Sequence, residues 1–214
     1  VGEDGPTHQP VEQEAQIRLL EQLRNHHGKR AMLVLRPADA AETTVAWKMA
    51  LENSETPTAL ILSRQGIPDL PARPGSDRYT DALQAQKGAY IVRDCEGTPD
   101  VILVASGSEV ATLVEGADQL EQKRGVKTRI VSVISEGLFR DQARSYQDEV
   151  LPAGIPIFGL TAGLPVTLQG LVGEQGKIFG MESFGFSAPY KVLDEKLGFT
   201  GENVFNQVIE LLGL

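Results

Sequence analysis

The sequence predicts an α/β protein: a partial parallel-sheet lobe followed by a complete open, mostly parallel α/β sheet domain. Three observations lead there. Short apolar runs of strand length alternate with stretches of helical period. The runs are continuous rather than alternating, the pattern of strands buried on both faces. Four prolines or glycines between Gly66 and Pro74, then polar Gly75-Ser76-Asp77-Arg78, separate two such series.

Residues 10–23 read as an amphipathic helix, with Val11, Ile17, Leu20 and Leu23 at helical spacing. Residues 31–35 form an apolar run of strand length that Arg36-Pro37 ends. A helix over 42–51 places Val45, Ala46, Met49 and Ala50 on one stripe, and 58–63 is a second buried strand. Strand, helical crossover and strand indicate a parallel pair. After the break, 101–105 is a strand buried on both faces. Ser106-Gly107-Ser108-Glu109 turns the chain into a helix with Val110, Leu113, Val114, Ala117 and Leu120 inward. Residues 129–133, 155–160 and 177–181 read as further strands. Helices are expected over 138–150, 191–197 and 204–212, the last with Val204, Phe205, Val208, Ile209 and Leu212 facing the core.

Three parts follow: a lobe over 1–65, a linker over 66–88 and a sheet domain over 89–214. The lobe has only two strands and two helices, too few to cover its own faces. It is expected to expose an apolar edge and to be the end of a domain that begins upstream.

At 214 residues, 41% of them hydrophobic and 23% charged, the chain has the interior of a globular protein. No apolar run approaches the roughly 18 residues of a membrane span, so no membrane partner is expected. The net charge of −9 argues against a nucleic-acid partner, which needs a basic field. One cysteine, Cys95, excludes an internal disulfide, reads as a spectator thiol and fits a cytoplasmic location.

The chemistry concentrates in Val1-Gly2-Glu3-Asp4-Gly5-Pro6-Thr7-His8-Gln9-Pro10. A turn, a cap and a first-turn proline account for this string. Equally, Gly5-Pro6 bends the chain so that Asp4 and His8 can converge on one small polar ligand. An imidazole can donate to a ligand hydroxyl and accept from one, and a carboxylate can accept from a second. His26 and His27, in a polar loop, read as solvated. Arg64 follows the 58–63 strand, at the end of a parallel sheet where ligands bind, and its planar fork suits a phosphate. Ser108 reads as the N-cap of its helix, and a single Gly in that turn is far from a nucleotide fingerprint.

The string GEDGPTHQP resembles the substrate loop of transketolases. Deoxyxylulose phosphate synthases resemble it only as far as DGPTH, so Gln9-Pro10 favours transketolase or the related dihydroxyacetone synthase. LRPADAAETTVAWKMALE, TPTALILSRQ, PDVILVASGSEV, LFRDQARSYQDEVLP and FGFSAPYKVLDEKLGFT extend the resemblance over nearly the whole chain, in family order. Residues 158–165 depart from it, where many relatives carry Glu-Ala-Gly and an aromatic-rich stretch.

The resemblance implies that 1–65 ends a thiamine diphosphate pyrimidine-binding domain and that 89–214 is the transketolase C-terminal domain. It implies transfer of a two-carbon ketol unit from a ketose phosphate to an aldose phosphate. Asp4 and His8 would contact sugar hydroxyls, with His8 nearest the chemistry, and Arg64 would hold the phosphate. Arg36 would be structural, at the domain surface or a subunit interface. Thiamine diphosphate and Mg²⁺ would bind an N-terminal portion of the enzyme rather than this chain, the active unit would be a homodimer, and this chain alone would be inactive. A non-catalytic assembly module is the rival from another class.

Overall fold

The computed structural model describes residues 5–214, so Asp4 lies outside the described residues. A 3-10 turn, Pro6–His8, leads into helix α1, Gln13–Leu19. Strand β1, Leu33–Leu35, helix α2, Ala40–Glu52, and strand β2, Thr58–Leu60, follow, and the two strands pair in parallel from Leu33/Thr58 to Leu35/Leu60. Asp39 caps α2 by accepting the Glu42 N–H at 2.8 Å. The helix expected over 10–23 is shorter. Past Leu19 the chain continues in i→i−3 turns, and the Glu21 carboxylate is held by Ser135 Oγ at 2.7 Å instead of staying on a polar helix face.

The stretch over 66–88 is more than a linker. It contains helix α3, Arg78–Ala82, capped by Asp77, and a 3-10 segment, Leu83–Lys87. Its polar string reads as loop because the partners of Arg78 lie far away in sequence. Strand β3, Tyr90–Arg93, also escaped sequence reading, and it pairs antiparallel as an edge strand. Strand β4, Val101–Ala105, helix α4, Glu109–Arg124, and strand β5, Thr128–Ser132, match their patterns.

The single helix expected over 138–150 is two, α5, Glu136–Arg140, and α6, Arg144–Val150. The break falls at Asp141, whose carboxylate is drawn to Arg30 (2.5 and 2.8 Å) and Arg24 (3.1 Å) of the first lobe. Strand β6, Ile157–Leu160, helix α7, Val166–Val172, strand β7, Lys177–Phe179, and helices α8, Tyr190–Leu197, and α9, Gly201–Leu212, complete the chain. Helix α7, just after Pro165, was not anticipated.

The larger sheet has the order β3-β5-β4-β6-β7, parallel except for β3. Strand β4 is buried at every residue, as its unbroken apolar run requires. Apolar clusters lie on both faces, and the one under α4 and α9 continues into the first lobe through Leu35, Ala38 and Val45. That continuation seals one flank of the small lobe. On its outer flank Trp47 (51% exposed) and Leu51 (81%) remain in solvent. No helix among the described residues is long and apolar enough to cross a membrane.

Candidate functional site

A cavity of about 790 Å³ opens between the lobes. Its walls are the chain from His8 to Glu14, the 61–68 segment after β2, the start of α4, and the second lobe from Met181 into α8. His8 and Arg64 both line it, and both are exposed. His26 and His27 do not line it. They sit exposed in a loop closed by Asn25 Oδ1, which accepts the His27 and Lys29 N–H groups at 2.9 and 3.0 Å.

Local geometry explains how each wall is held. Gly5 has φ +81°, a left-handed value that glycine adopts without strain, and it sets the entry to the Pro6–His8 turn. The His8 N–H then donates to Gly5 O at 3.1 Å and Gln9 N–H to Pro6 O at 3.2 Å. The second lobe braces this turn, because the Gly185 N–H donates to Gln9 O at 3.0 Å. On the opposite side the Ile61 N–H donates to Leu35 O at 2.9 Å, carrying the β1–β2 pairing one residue further toward Arg64.

Between these walls lies a buried ionic cluster. Arg36, only 11% exposed, donates from Nη1 to Ser106 O (2.5 Å) and Oγ (3.1 Å), and from Nη2 to Glu109 Oε1 (2.9 Å). Its Nε lies 3.6 Å from Glu14 Oε2, and Glu14 Oε1 accepts from Arg18 Nε at 2.9 Å. Glu109 Oε1 also accepts the Ala162 N–H at 2.9 Å, tying in the loop that follows β6. Burial acts to raise the Glu14 carboxyl, but Arg36 and Arg18 outweigh it and hold it below the ordinary range. Burial likewise disfavours charge on Arg36, and Glu109 with Glu14 more than reverses this, so the guanidinium is held firmly charged.

Arg36 is therefore not on an outer domain surface; it sits inside the chain, where its two lobes meet. The turn that receives it is SGSE. Gly107 has φ +65°, a left-handed value that glycine adopts without strain, and a Cβ there would lie 2.7 Å from the Arg36 Cζ and push the guanidinium from its place. A turn of the kind that cradles anions thus holds a cation. Ser108 stands at the N-cap position with helical dihedrals and makes no side-chain cap. The first turn closes through backbone bonds instead, Val110 N–H to Gly107 O and Ala111 N–H to Ser108 O, both 3.2 Å.

A second buried cluster joins the same lobes away from the cavity. Arg78 Nε donates to Asp39 Oδ2 at 2.5 Å and its Nη2 to Tyr90 Oη at 2.6 Å; Tyr90 Oη donates to Glu42 Oε1 at 2.7 Å. Burial raises the Glu42 carboxyl above its ordinary value, against the lowering effect of Tyr90, the Ala38 N–H and Arg78. Sequence reasoning missed this cluster, although Asp39-Ala40-Ala41-Glu42 has the spacing of a capping box. Nothing local marks Arg78 or Tyr90 as its partners.

Comparison with known proteins decides the family. The profile described as the transketolase-like TK C-terminal domain matches residues 88–200, and that of the transketolase pyrimidine-binding domain matches residues 1–69. The chain belongs to the transketolase family. It is 42% identical over 214 residues to the transketolase of Staphylococcus aureus (strain MW2), covering 99% of this chain and 30% of that protein. Transketolase 2 of Vibrio parahaemolyticus is 43% identical over 213 residues, with the same coverage. The solved transketolase from Leishmania mexicana superimposes with a TM-score of 0.82 at 37% identity, over 99% of this chain and 28% of that one. The chain thus spans about 30% of the length of the curated transketolases it matches. A solved structure described as the inactive β4 tetramer of a split-gene transketolase shares the fold, with a TM-score of 0.70 at 23% identity, and this chain covers 65% of it.

Proposed function

We propose that this chain supplies the substrate-anchoring part of a transketolase, which transfers a two-carbon ketol unit from a ketose phosphate to an aldose phosphate. The observation that carries this reading is that His8 and Arg64, 56 positions apart in the chain, line one cavity. Arg64 presents two parallel N–H groups to a phosphate, with solvent access to admit it. His8 donates to or accepts from a hydroxyl near the reacting carbon and can move a proton there. Asp4, outside the described residues, holds a second hydroxyl by family resemblance. The extent of the two family profiles supports a division into a pyrimidine-binding portion over 1–65, a connecting segment over 66–88 and a C-terminal domain over 89–214.

Thiamine diphosphate supplies the carbon chemistry in this family when bound. The described residues do not fit a cradle for its diphosphate and Mg²⁺. No group of three or more His, Cys, Asp or Glu among them is arranged to hold a metal ion, and Arg36 is already saturated by protein acceptors. By family resemblance those sites lie in the remainder of the enzyme, a cytoplasmic homodimer. The exposed Trp47 and Leu51 on α2, beside the two-stranded sheet, support a partner surface there. The split-gene neighbour, an inactive assembly of one kind of chain, supports the further reading that this chain alone turns over no substrate.

Titration of the chain with a ketose phosphate, and with the same ketose lacking phosphate, tests the anchoring role. Nuclear magnetic resonance signals of the His8 ring and the Arg64 guanidinium are expected to move together with the phosphorylated sugar. Arg64→Ala should weaken that sugar about tenfold or more, the scale of a charge-assisted hydrogen bond, while sparing the unphosphorylated one. Equal weakening of both sugars, or movement of neither signal, overturns the reading.

A further inference from the structure

We infer that Arg36 is a positioning residue that sets the spacing between the His8 and Arg64 anchors, and so governs preference for phosphorylated over unphosphorylated sugars. The inference rests on the reading of His8 and Arg64 given above and goes beyond it by assigning a group that touches neither reacting atoms nor phosphate.

Arg36 lines the same cavity as the two anchors, yet it is no ligand-binding arginine. Both terminal nitrogens are taken by Ser106 and Glu109, and its Nε faces Glu14. What it does hold is protein. Toward His8, Arg36 grips Glu14, which grips Arg18, and so anchors α1 only a few residues beyond the His8 turn. Toward Arg64, the Leu35 carbonyl just before Arg36 receives the Ile61 N–H, three residues ahead of Arg64. Both arms thus take their register from one point. That point is fixed to the second lobe through Ser106, Glu109 and the Arg36 N–H, which donates to Ile134 O at 2.9 Å.

The planar fork is what makes this a register device. A lysine keeps the charge but offers one compact ammonium, which cannot satisfy Ser106, Glu109 and Glu14 in three set directions. Loosening the fork would free the α1 arm. The main-chain bond from Ile61 N–H to Leu35 O keeps the 61–68 arm in place, so the spacing between the two anchors would change. A sugar held at one end only tolerates such a shift; a sugar gripped at both ends does not, and misplacement near 1 Å can cost about 10²-fold in rate.

The test uses the active transketolase assembly containing this chain, with kcat and KM measured for a ketose phosphate and for its unphosphorylated counterpart. The readout is the ratio of the two kcat/KM values. Arg36→Lys is expected to lower that ratio about tenfold, and Arg64→Ala to lower it as well. The Arg36→Lys, Arg64→Ala double variant should show no further fall in the ratio, because spacing has no effect once the phosphate anchor is gone. Glu109→Gln, which removes the charge opposite Arg36 but keeps the shape, should move the ratio in the same direction.

Proportional loss on both sugars, or additive effects in the double variant, would show Arg36 to be structural only and overturn the inference. Failure of both Arg36→Lys and Glu109→Gln to assemble would do the same. If Arg64→Ala lowers the ratio and Arg36→Lys does not, this inference alone falls. If Arg64→Ala leaves the ratio unchanged, the anchoring reading falls and takes this one with it.

Discussion

Glu14 shows how a single side chain here carries both stability and site geometry. Two arginines hold its carboxyl below the ordinary value of 4.5 despite burial that acts to raise it. A depressed folded-state value means that its contribution is present above the unfolded value and is lost as pH falls through the folded one. Glu14→Gln should therefore destabilise the chain by about 1–3 kcal/mol near neutrality, the cost of losing a hydrogen-bonded charge beside an arginine. Urea denaturation at a series of pH values should show the gap between the two proteins closing as pH drops below 4.5. A gap that stays constant or widens on acidification would contradict this assignment. The residue type was legible from sequence, as one polar position in an amphipathic stretch. Its partners were not, because Arg36 meets Glu14 only when strand β1 is folded beside α1. The same limit hid Arg78, 39 residues from Asp39, and the 73-residue reach from Arg36 to Glu109.

Among the elements, those whose signal is local matched expectation best. The apolar run at β4, the helical stripe of α4 and the final amphipathic helix α9 need only nearest neighbours in sequence to be read. Elements shaped by distant contacts were misread: α5 and α6 part at Asp141 because two arginines of the first lobe hold it, and β3 is a strand because it completes an edge of the sheet. Packing between well-read helices also depends on details that periodicity leaves out. Gly116 lies on the inner stripe of α4, where a Cβ would stand 2.4 Å from Val204 Cγ1 and 3.3 Å from Gly201 O of α9. Gly116→Ala should gain up to about 1 kcal/mol of helix propensity and lose about 1–3 kcal/mol to overpacking. The expected result is a lower urea midpoint with an unchanged slope; a raised midpoint would mean that α9 shifts away at no cost.

At the scale of the molecule, the two lobes share one apolar cluster and two buried ionic clusters, and the cavity opens where they meet. The division into two strand–helix series was legible from composition and punctuation. The lobes' mutual docking was not, since it depends on charged side chains whose pairing only the assembled fold determines. The sequence marks His8 and Arg64 as candidate anchors, and both line the cavity; Asp4 lies outside the described residues. The central claim is that the chain anchors substrate for a reaction whose cofactor is held elsewhere in the enzyme. Its most direct test is complementation: the chain is mixed with a separately produced thiamine diphosphate-binding portion of a transketolase, with Mg²⁺, and two-carbon transfer is followed. The expected result is no turnover by the chain alone, turnover in the mixture, and a loss of about 10²-fold or more when the chain carries His8→Ala. Clear turnover by the chain alone, or a mixture indifferent to His8→Ala, would contradict the claim.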